Sequence, residues 1–176
     1  MLEVLATSTP PMPALADGEG WQSGHALHEC VDLQPLVMRI NDSVRDDLDY
    51  QNIGNAPFRI TGCWATASAP GTSHRQHCHP NNFLSDVYYV QTAPGADTID
   101  FHDPRPLSGI IRPPITGLTA ENTDQVVIRV EGGTLLLFPS YLPHSVDSNQ
   151  SSEVRISVSF NVMFSSFAET MSPPHW

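Results

Sequence analysis

Three histidines fall within six residues, in the segment His-Arg-Gln-His-Cys-His-Pro-Asn at 74–81. If this segment is the end of a β-strand, His77 and His79 project from one face, so both imidazoles can reach one ion. His74 and Cys78 then point elsewhere. Imidazole is a ligand for iron, zinc, copper and nickel, and a reactive site keeps coordination positions open for water or substrate. Two histidines do not hold a metal alone, so at least one more ligand must come from elsewhere in the chain.

His144 is the candidate for the missing ligand. It follows the apolar run Thr-Leu-Leu-Leu-Phe at 134–138 and the turn Pro-Ser-Tyr-Leu-Pro at 139–143. In a small two-sheet barrel the loops of distant strands meet at one end, so His144 can reach His77 and His79. The alternative is a histidine that only forms hydrogen bonds within its own turn.

A strand with one polar face begins eleven residues after His144, in the segment Arg-Ile-Ser-Val-Ser-Phe-Asn at 155–161. Strand alternation puts Arg155, Ser157 and Ser159 on one face and apolar side chains on the other. If the polar face lines a barrel interior, Arg155 is a buried cation that needs an anion. A guanidinium binds a carboxylate through two parallel hydrogen bonds. The alternative is an outward-facing arginine paired with Asp or Glu.

The size and charge of the chain restrict its organisation and its partners. Its 176 residues are enough for one hydrophobic core and few for two, so 1–176 is expected to be a single domain. The formal charge is -11, from 19 acidic residues against 8 basic ones, and all of the basic residues are arginine. Such a chain repels nucleic acid and anionic membranes. We expect a small-molecule or peptide substrate, no nucleic-acid or membrane partner, and leave a homodimer open.

The cysteines and the N-terminus indicate a reducing compartment. Three cysteines without a Cys-x-x-Cys pair argue against both a disulfide framework and a structural zinc site. The N-terminus lacks the features of a signal peptide, and no stretch approaches about 18 apolar residues. We therefore expect a cytoplasmic protein. His25 and His28 lie close to Cys30 in an irregular stretch, and we expect them to be ordinary surface histidines.

The elements that position these residues are one helix followed by short strands. Apolar residues recur at helical spacing and predict a helix over 33–49. From Phe58 onward, short β-branched and aromatic runs bounded by Pro, Gly and Asn indicate an antiparallel sandwich or barrel. The predicted strands are 58–68, 84–91, 98–101, 126–130, 134–138 and 154–162, with a further short strand at 2–7. The domain is thus expected to comprise an arm and helix (1–55), a β core (56–165) and a tail (166–176), with the proline-rich connection 103–124 as a candidate lid.

Together these motifs resemble a family of 2-oxoglutarate- and iron(II)-dependent oxygenases similar to prolyl hydroxylases. The matches run in order from Trp64 to Asn161: His77-x-His79-Pro-Asn, Leu84-Ser-Asp-Val-Tyr-Tyr-Val90, Ile99-Asp-Phe-His-Asp-Pro-Arg105, Leu137-Phe-Pro-Ser140, His144 and Arg155-Ile-Ser-Val-Ser-Phe-Asn161. The resemblance implies an all-β core folded as a double-stranded β-helix, the cupin-like jelly roll, with an N-terminal helical segment.

The resemblance also implies a cofactor, a co-substrate and an activity. It implies the iron(II) ligands His77, His79 and His144, and three residues that hold 2-oxoglutarate, namely Arg155, Ser157 and Tyr89. Most such oxygenases carry Asp or Glu at the position of His79, and Gly at the position of Asp86. Asp86 is therefore a second candidate for the carboxylate of a two-histidine, one-carboxylate site, or else caps a turn or supports a ligand. The implied activity is hydroxylation of an unidentified substrate.

Two other functions fit the same architecture. A cupin-type metal enzyme, either a dioxygenase or an isomerase that does not use 2-oxoglutarate, is suggested by the approximate cupin pattern Gly133, Pro139, His144 and Asn149. Against it, the glutamate expected four or five residues after His79 is replaced by Phe83 and Leu84. The other is a non-catalytic jelly roll that binds a metal or ligand.

Overall fold

The computed structural model describes residues 10–105, 110, 113–119 and 121–170, which form two antiparallel sheets. Its strands are β1 (Gly20–Gln22), β2 (Phe58–Ser68), β3 (His74–His77), β4 (Leu84–Gln91), β5 (Thr98–His102), β6 (Gln125–Arg129), β7 (Leu135–Pro139), β8 (His144–Val146) and β9 (Arg155–Phe164). The larger sheet has the order β1-β2-β9-β4-β7 and the smaller sheet the order β3-β8-β5-β6. This is the all-β, two-sheet arrangement that the sequence predicts.

One long helix, α1 (Gln34–Tyr50), covers the larger sheet. Its buried residues Ile40, Val44 and Leu48 recur every fourth position and form the apolar stripe that packs on the sheet. A left-handed residue, Asn52 with φ 57°, follows its end. Two 3₁₀ turns (Leu27–Glu29 and Val31–Leu33) precede α1, and a short helix α2 (Ser165–Ala168) follows β9. No helix in the described part of the chain is long and apolar enough to cross a membrane.

The hydrophobic core has two parts, one on each face of the larger sheet. Apolar side chains of α1 pack against the outer face of β2, β4 and β9, where Val158 and Phe160 are fully buried. A smaller cluster that includes Val87, Tyr89 and Phe138 fills the space between the two sheets. Alternation along β4 and β9 therefore divides each strand into a face towards α1 and a face towards the interior between the sheets.

The predicted strands over 58–68 and 84–91 have the observed bounds, and the other four predicted in the core lie within a few residues of theirs. The predicted helix over 33–49 is observed as α1. The sequence did not predict β1 and β8, which are three residues long and are held by pairing with longer strands. The predicted strand at 2–7 and residues 171–176 of the predicted tail (166–176) lie outside the described residues, as does part of the 103–124 connection. Residues 166–168 of the predicted tail belong to α2.

Candidate active site

Three histidines converge where β3 and β8 meet. His77 and His144 are directly paired across the two strands, and His79 follows β3 by two residues. Among the described residues these three form the one group of metal-ligating side chains whose ligand atoms all lie within 4.8 Å of one another. The ring centroids are 4.3 Å apart for His77 and His144, 5.1 Å for His77 and His79, and 5.2 Å for His79 and His144. This spacing fits three nitrogen ligands around a single ion.

Backbone carbonyls fix the orientation of two of these rings. The Nδ1 atom of His77 lies 2.7 Å from the carbonyl oxygen of Arg75, and that of His144 lies 3.0 Å from the carbonyl oxygen of Leu142. A carbonyl only accepts hydrogen bonds, so Nδ1 carries the proton in both rings and Nε2 keeps its lone pair. Metal-binding histidines are commonly held by such a bond, which sets both the tautomer and the ring direction.

Burial keeps two of the imidazoles neutral. Desolvation, with the charges of neighbouring histidines, lowers the pKa of His79 to about 3. Desolvation also lowers the pKa of His144 to about 4, although its hydrogen bond to Leu142 acts in the opposite direction. The neutral imidazole is the form that binds metal, so these rings are in the ligand state at neutral pH.

Arg155 is a buried cation that faces the same cavity as the three histidines. It is 5% exposed and forms no salt bridge within the described residues. Burial lowers its pKa, and the favourable interaction that opposes this effect is with the phenol of Tyr89. Burial likewise raises the pKa of Tyr89 to about 12, so the phenol is protonated and does not neutralise the guanidinium. A buried charge without a counter-charge is costly, and this one is placed to receive an anion from the cavity.

The cavity between the sheets has a volume of about 260 Å³. Its wall includes every residue that the sequence assigned to the site: His77, His79, His144, Tyr89, Arg155 and Ser157. Ser157 lies opposite Tyr89 on β4 and opposite Thr66 on β2, so the neighbouring strands present polar groups beside Arg155. The predicted polar face of β9 therefore does line the interior.

One wall of the cavity comes from the N-terminal segment, which was predicted to be an irregular arm. The amide of Cys63 donates to the carbonyl oxygen of His25 at 2.8 Å, which attaches this segment to β2. Nε2 of Gln22 lies 2.7 Å from Nε2 of His25, whose ring centroid is 5.1 Å from that of Trp64. Trp64 in turn lies 5.9 Å from the ring of His79. His25 is thus part of the cavity wall and not the ordinary surface histidine that was expected.

The expectation that His74 and Cys78 point away from the site was also wrong, because both border the cavity. The prediction assumed regular alternation through the segment, but the pairing of β3 with β8 shifts register between His74 and His77. Asn161, at the end of the polar face of β9, is a further cavity residue that the sequence did not single out. Continuing the alternation by one more step from Ser159 would have found it.

Asp86 does not join the histidine cluster. It is paired with Leu137 on β7 and Phe160 on β9, which belong to the core beneath α1. Although Asp86 borders the cavity, the residue is only 2% exposed, and neither carboxylate oxygen accepts a well-formed hydrogen bond from the described residues. Burial raises its pKa well above the usual value, the backbone of Val87 lowers it in part, and the charge of Asp47 raises it further. The structure therefore brings His79, and not Asp86, together with His77 and His144.

Residues 62–161, more than half of the chain, match the model of a protein family described as "Putative 2OG-Fe(II) oxygenase". No curated protein sequence matches the chain.

Among solved structures, HygX from Streptomyces hygroscopicus with nickel, 2-oxoglutarate and hygromycin B bound aligns with 93% of this chain and 78% of its own, at a TM-score of 0.61 and 13% identity. The non-heme alpha ketoglutarate dependent epimerase SnoN from nogalamycin biosynthesis aligns with 88% of this chain and 70% of its own, at a TM-score of 0.59 and 14% identity. An oxidoreductase of the 2OG-Fe(II) oxygenase family from Burkholderia pseudomallei aligns with 61% of this chain and 46% of its own, at a TM-score of 0.47 and 15% identity. The chain spans less than half of that protein. At these identities the likeness to HygX and SnoN supports the fold.

Proposed function

The chain belongs to the 2OG-Fe(II) oxygenase family, and we propose that it binds iron(II) through His77, His79 and His144 and hydroxylates a small molecule at the expense of 2-oxoglutarate. The family match favours this activity over a cupin-type enzyme that does not use the keto acid. It also favours a catalytic protein over a binding module.

The single observation that supports the proposal most is the combination of donors at one cavity. Three histidine nitrogens lie close enough to share one ion. Arg155, which is buried and has no salt bridge among the described residues, lines the same cavity. Three ligands leave up to three of six coordination positions open, which suits a chelating keto acid and dioxygen. A fixed guanidinium suits the distal carboxylate of 2-oxoglutarate. The residues present therefore fit both the metal and the co-substrate.

Each of these residues has a defined task in the proposed reaction. The histidines hold the metal, and Arg155 holds the distal carboxylate with help from Ser157 and Tyr89, whose protonated phenol can donate a hydrogen bond. Bound iron(II) supplies the activation of dioxygen, in which one oxygen atom enters succinate as 2-oxoglutarate loses CO2 and the other hydroxylates a C–H bond of the substrate. The apolar side chains Val87, Ile99 and Phe138 in the cavity wall exclude water from the reacting groups.

A small-molecule substrate suits the size of the site. The cavity of about 260 Å³ must hold 2-oxoglutarate and the reacting part of the substrate, which leaves little room beside the metal. HygX, which has a similar fold, was solved with the small molecule hygromycin B bound, and SnoN is an epimerase from nogalamycin biosynthesis. Both structures support a small-molecule substrate for this fold.

The three free cysteines, Cys30, Cys63 and Cys78, support the reducing, cytoplasmic compartment that the sequence predicts.

Succinate release from 2-oxoglutarate tests the proposed function. The protein is incubated with iron(II), ascorbate, oxygen and a pool of candidate small molecules, and succinate is measured. We expect release that depends on iron(II), that is lost in His144→Ala and that is strongly reduced in Arg155→Leu. Release that is equal in wild type and His144→Ala would contradict the proposed metal site. A wild type that binds neither metal nor 2-oxoglutarate would contradict the function itself.

A further inference from the structure

Three buried polar side chains form a hydrogen-bonded chain beside the histidine cluster. The hydroxyl of Ser140 lies 2.9 Å from that of Ser85, and Ser85 donates to Oδ1 of Asn161 at 2.7 Å. None of the three residues is more than 1% exposed. The carbonyl oxygen of Ser140 accepts a hydrogen bond of 2.9 Å from the amide of His79. The chain of polar groups is therefore attached to a segment that carries a candidate metal ligand.

The direction of these hydrogen bonds sets the orientation of the Asn161 amide. A serine hydroxyl has one proton, so when Ser85 donates to Asn161 it must accept from Ser140. In the opposite direction Asn161 would donate to Ser85 and Ser85 to Ser140. The hydroxyl proton of Ser140 and Oδ1 of Asn161 would then both lack a partner among the described residues. The first direction leaves a single unmet group, and network satisfaction of this kind is how an amide is oriented.

That unmet group is the NH₂ group of Asn161. Its Nδ2 atom is shielded from solvent and has no hydrogen-bond partner among the described residues. Leaving a buried donor unsatisfied costs free energy, and such groups are rare enough to need a reason. Asn161 borders the cavity that also contains His79 and Arg155. A ligand oxygen in that cavity would satisfy the donor.

The position of Asn161 on β9 indicates which end of the ligand it serves. Arg155 and Asn161 lie on one face of β9, the first at its start and the second further along it, and both border the cavity. Arg155 has the chemistry for the distal carboxylate, whereas Asn161 is tied through Ser85 and Ser140 to the segment of His79. The two residues therefore serve opposite ends of a molecule that lies along β9.

We infer that Nδ2 of Asn161 donates a hydrogen bond to the metal-chelating carboxylate of 2-oxoglutarate and fixes its orientation at the metal. The inference rests on the proposed function and adds a residue that positions the co-substrate. In this account Ser85 and Ser140 hold the amide in the donating orientation, and they act on the co-substrate only through Asn161.

Calorimetric titration of the manganese-loaded protein with two ligands tests this inference. The first ligand is 2-oxoglutarate, and the second is oxalate, which chelates a metal but has no distal carboxylate. Asn161→Leu and the isosteric Asn161→Asp should each weaken both ligands by more than about tenfold. Arg155→Leu should weaken 2-oxoglutarate and leave oxalate unchanged. This contrast separates the two ends of the co-substrate.

Two further variants keep the test decisive. Asn82 accepts a hydrogen bond from the hydroxyl of Thr61, as Asn161 does from Ser85, but Asn82 does not border the cavity. Asn82→Leu is therefore the matched control and should bind both ligands normally. Ser85→Ala keeps Asn161 but frees its amide to rotate, and it should weaken both ligands by a smaller factor. If the Asn161 variants lose their fold or metal, the result for Ser85→Ala decides.

The outcomes distinguish this inference from the function on which it rests. Normal binding of both ligands by folded, metal-loaded Asn161→Asp overturns the inference and leaves the proposed function intact. The same result with reduced succinate release in the presence of the pool of candidate small molecules would assign the donor to the substrate and would also overturn the inference. Failure of the wild type to bind 2-oxoglutarate would contradict the proposed function and, with it, this inference.

Discussion

His77 on β3 and His144 on β8 are directly paired residues of the smaller sheet, and their ring centroids lie 4.3 Å apart. They are distant in sequence, so the pairing of these two strands brings them together. The pair adjoins β5 through Phe101, which is paired with His144. The geometry of the candidate metal site is therefore set by sheet register, with His79 supplied by the residues that follow β3.

The first prediction concerns metal content. The double variant His77→Ala/His79→Ala should lose the single metal ion per chain, because one remaining imidazole does not hold a divalent transition metal against dilution. Elemental analysis after gel filtration measures the metal content. His102→Ala is the matched control, since Nε2 of His102 bonds to the hydroxyl of Ser145 outside the cluster. The same metal content in wild type and the double variant would place the site elsewhere.

The second prediction concerns the buried carboxyl group of Asp86. Burial raises its pKa in the folded chain, so the folded state keeps a proton that the unfolded state releases as the pH rises above about 4. Folding stability from this residue is therefore lost as the pH increases. The variant Asp86→Leu has no carboxyl group at this position and therefore does not lose stability in this way. Its leucine would lie beside Leu137 and Phe160, so the free energy of unfolding should be higher than that of wild type.

Urea unfolding of the metal-free protein at several pH values between 5 and 8 measures this effect. The advantage of Asp86→Leu over wild type should grow with pH by up to about 1.4 kcal/mol per unit, until the pH passes the pKa of the folded state. Asp49→Leu, which changes an exposed aspartate of α1, is the control and should show no such trend. An advantage that shrinks as the pH rises would show that Asp86 is ionised in the folded protein.

The third prediction concerns thiol reactivity. Cys63 is 1% exposed, and burial raises its pKa to about 12, whereas Cys78 is exposed at the cavity. Because the thiolate is the nucleophile, iodoacetamide at pH 8 should modify Cys78 and leave Cys63 intact until the protein unfolds. Peptide mass spectrometry before and after addition of urea identifies the modified residues. Equal modification of both thiols in the native protein would argue against the burial of Cys63 in the core beneath α1.

The larger elements could be predicted because their own residues specify them. The runs of β-branched and aromatic residues at 58–68 and 84–91 and the helical spacing of 33–49 are strong local patterns, and each corresponds to an observed element. β8 could not be predicted in this way, because its three residues, His144–Val146, have no pattern of their own. They become a strand only because β3 and β5 lie on either side of them.

The candidate site was predictable where it depends on spacing and not where it depends on packing. His77, His79, His144 and Arg155 follow from strand alternation and from the turn before β8. The locations of His74 and Cys78 did not follow, because a register shift in β3 interrupts the alternation. The contribution of His25 depends on attachment of the N-terminal segment to β2, which is a tertiary contact with no local sequence signal.

Binding of 2-oxoglutarate to the manganese-loaded protein tests the central claim most directly. Manganese replaces iron, so binding is measured by calorimetry without turnover and without knowledge of the substrate. The wild type should bind one 2-oxoglutarate per chain only when metal is present, because the keto acid chelates the ion. Arg155→Leu should keep its metal and bind 2-oxoglutarate more than about tenfold more weakly, which corresponds to about 1.4 kcal/mol or more. Equal binding by wild type and Arg155→Leu, or no binding by either, would contradict the assignment of this cavity as a 2-oxoglutarate-dependent active site.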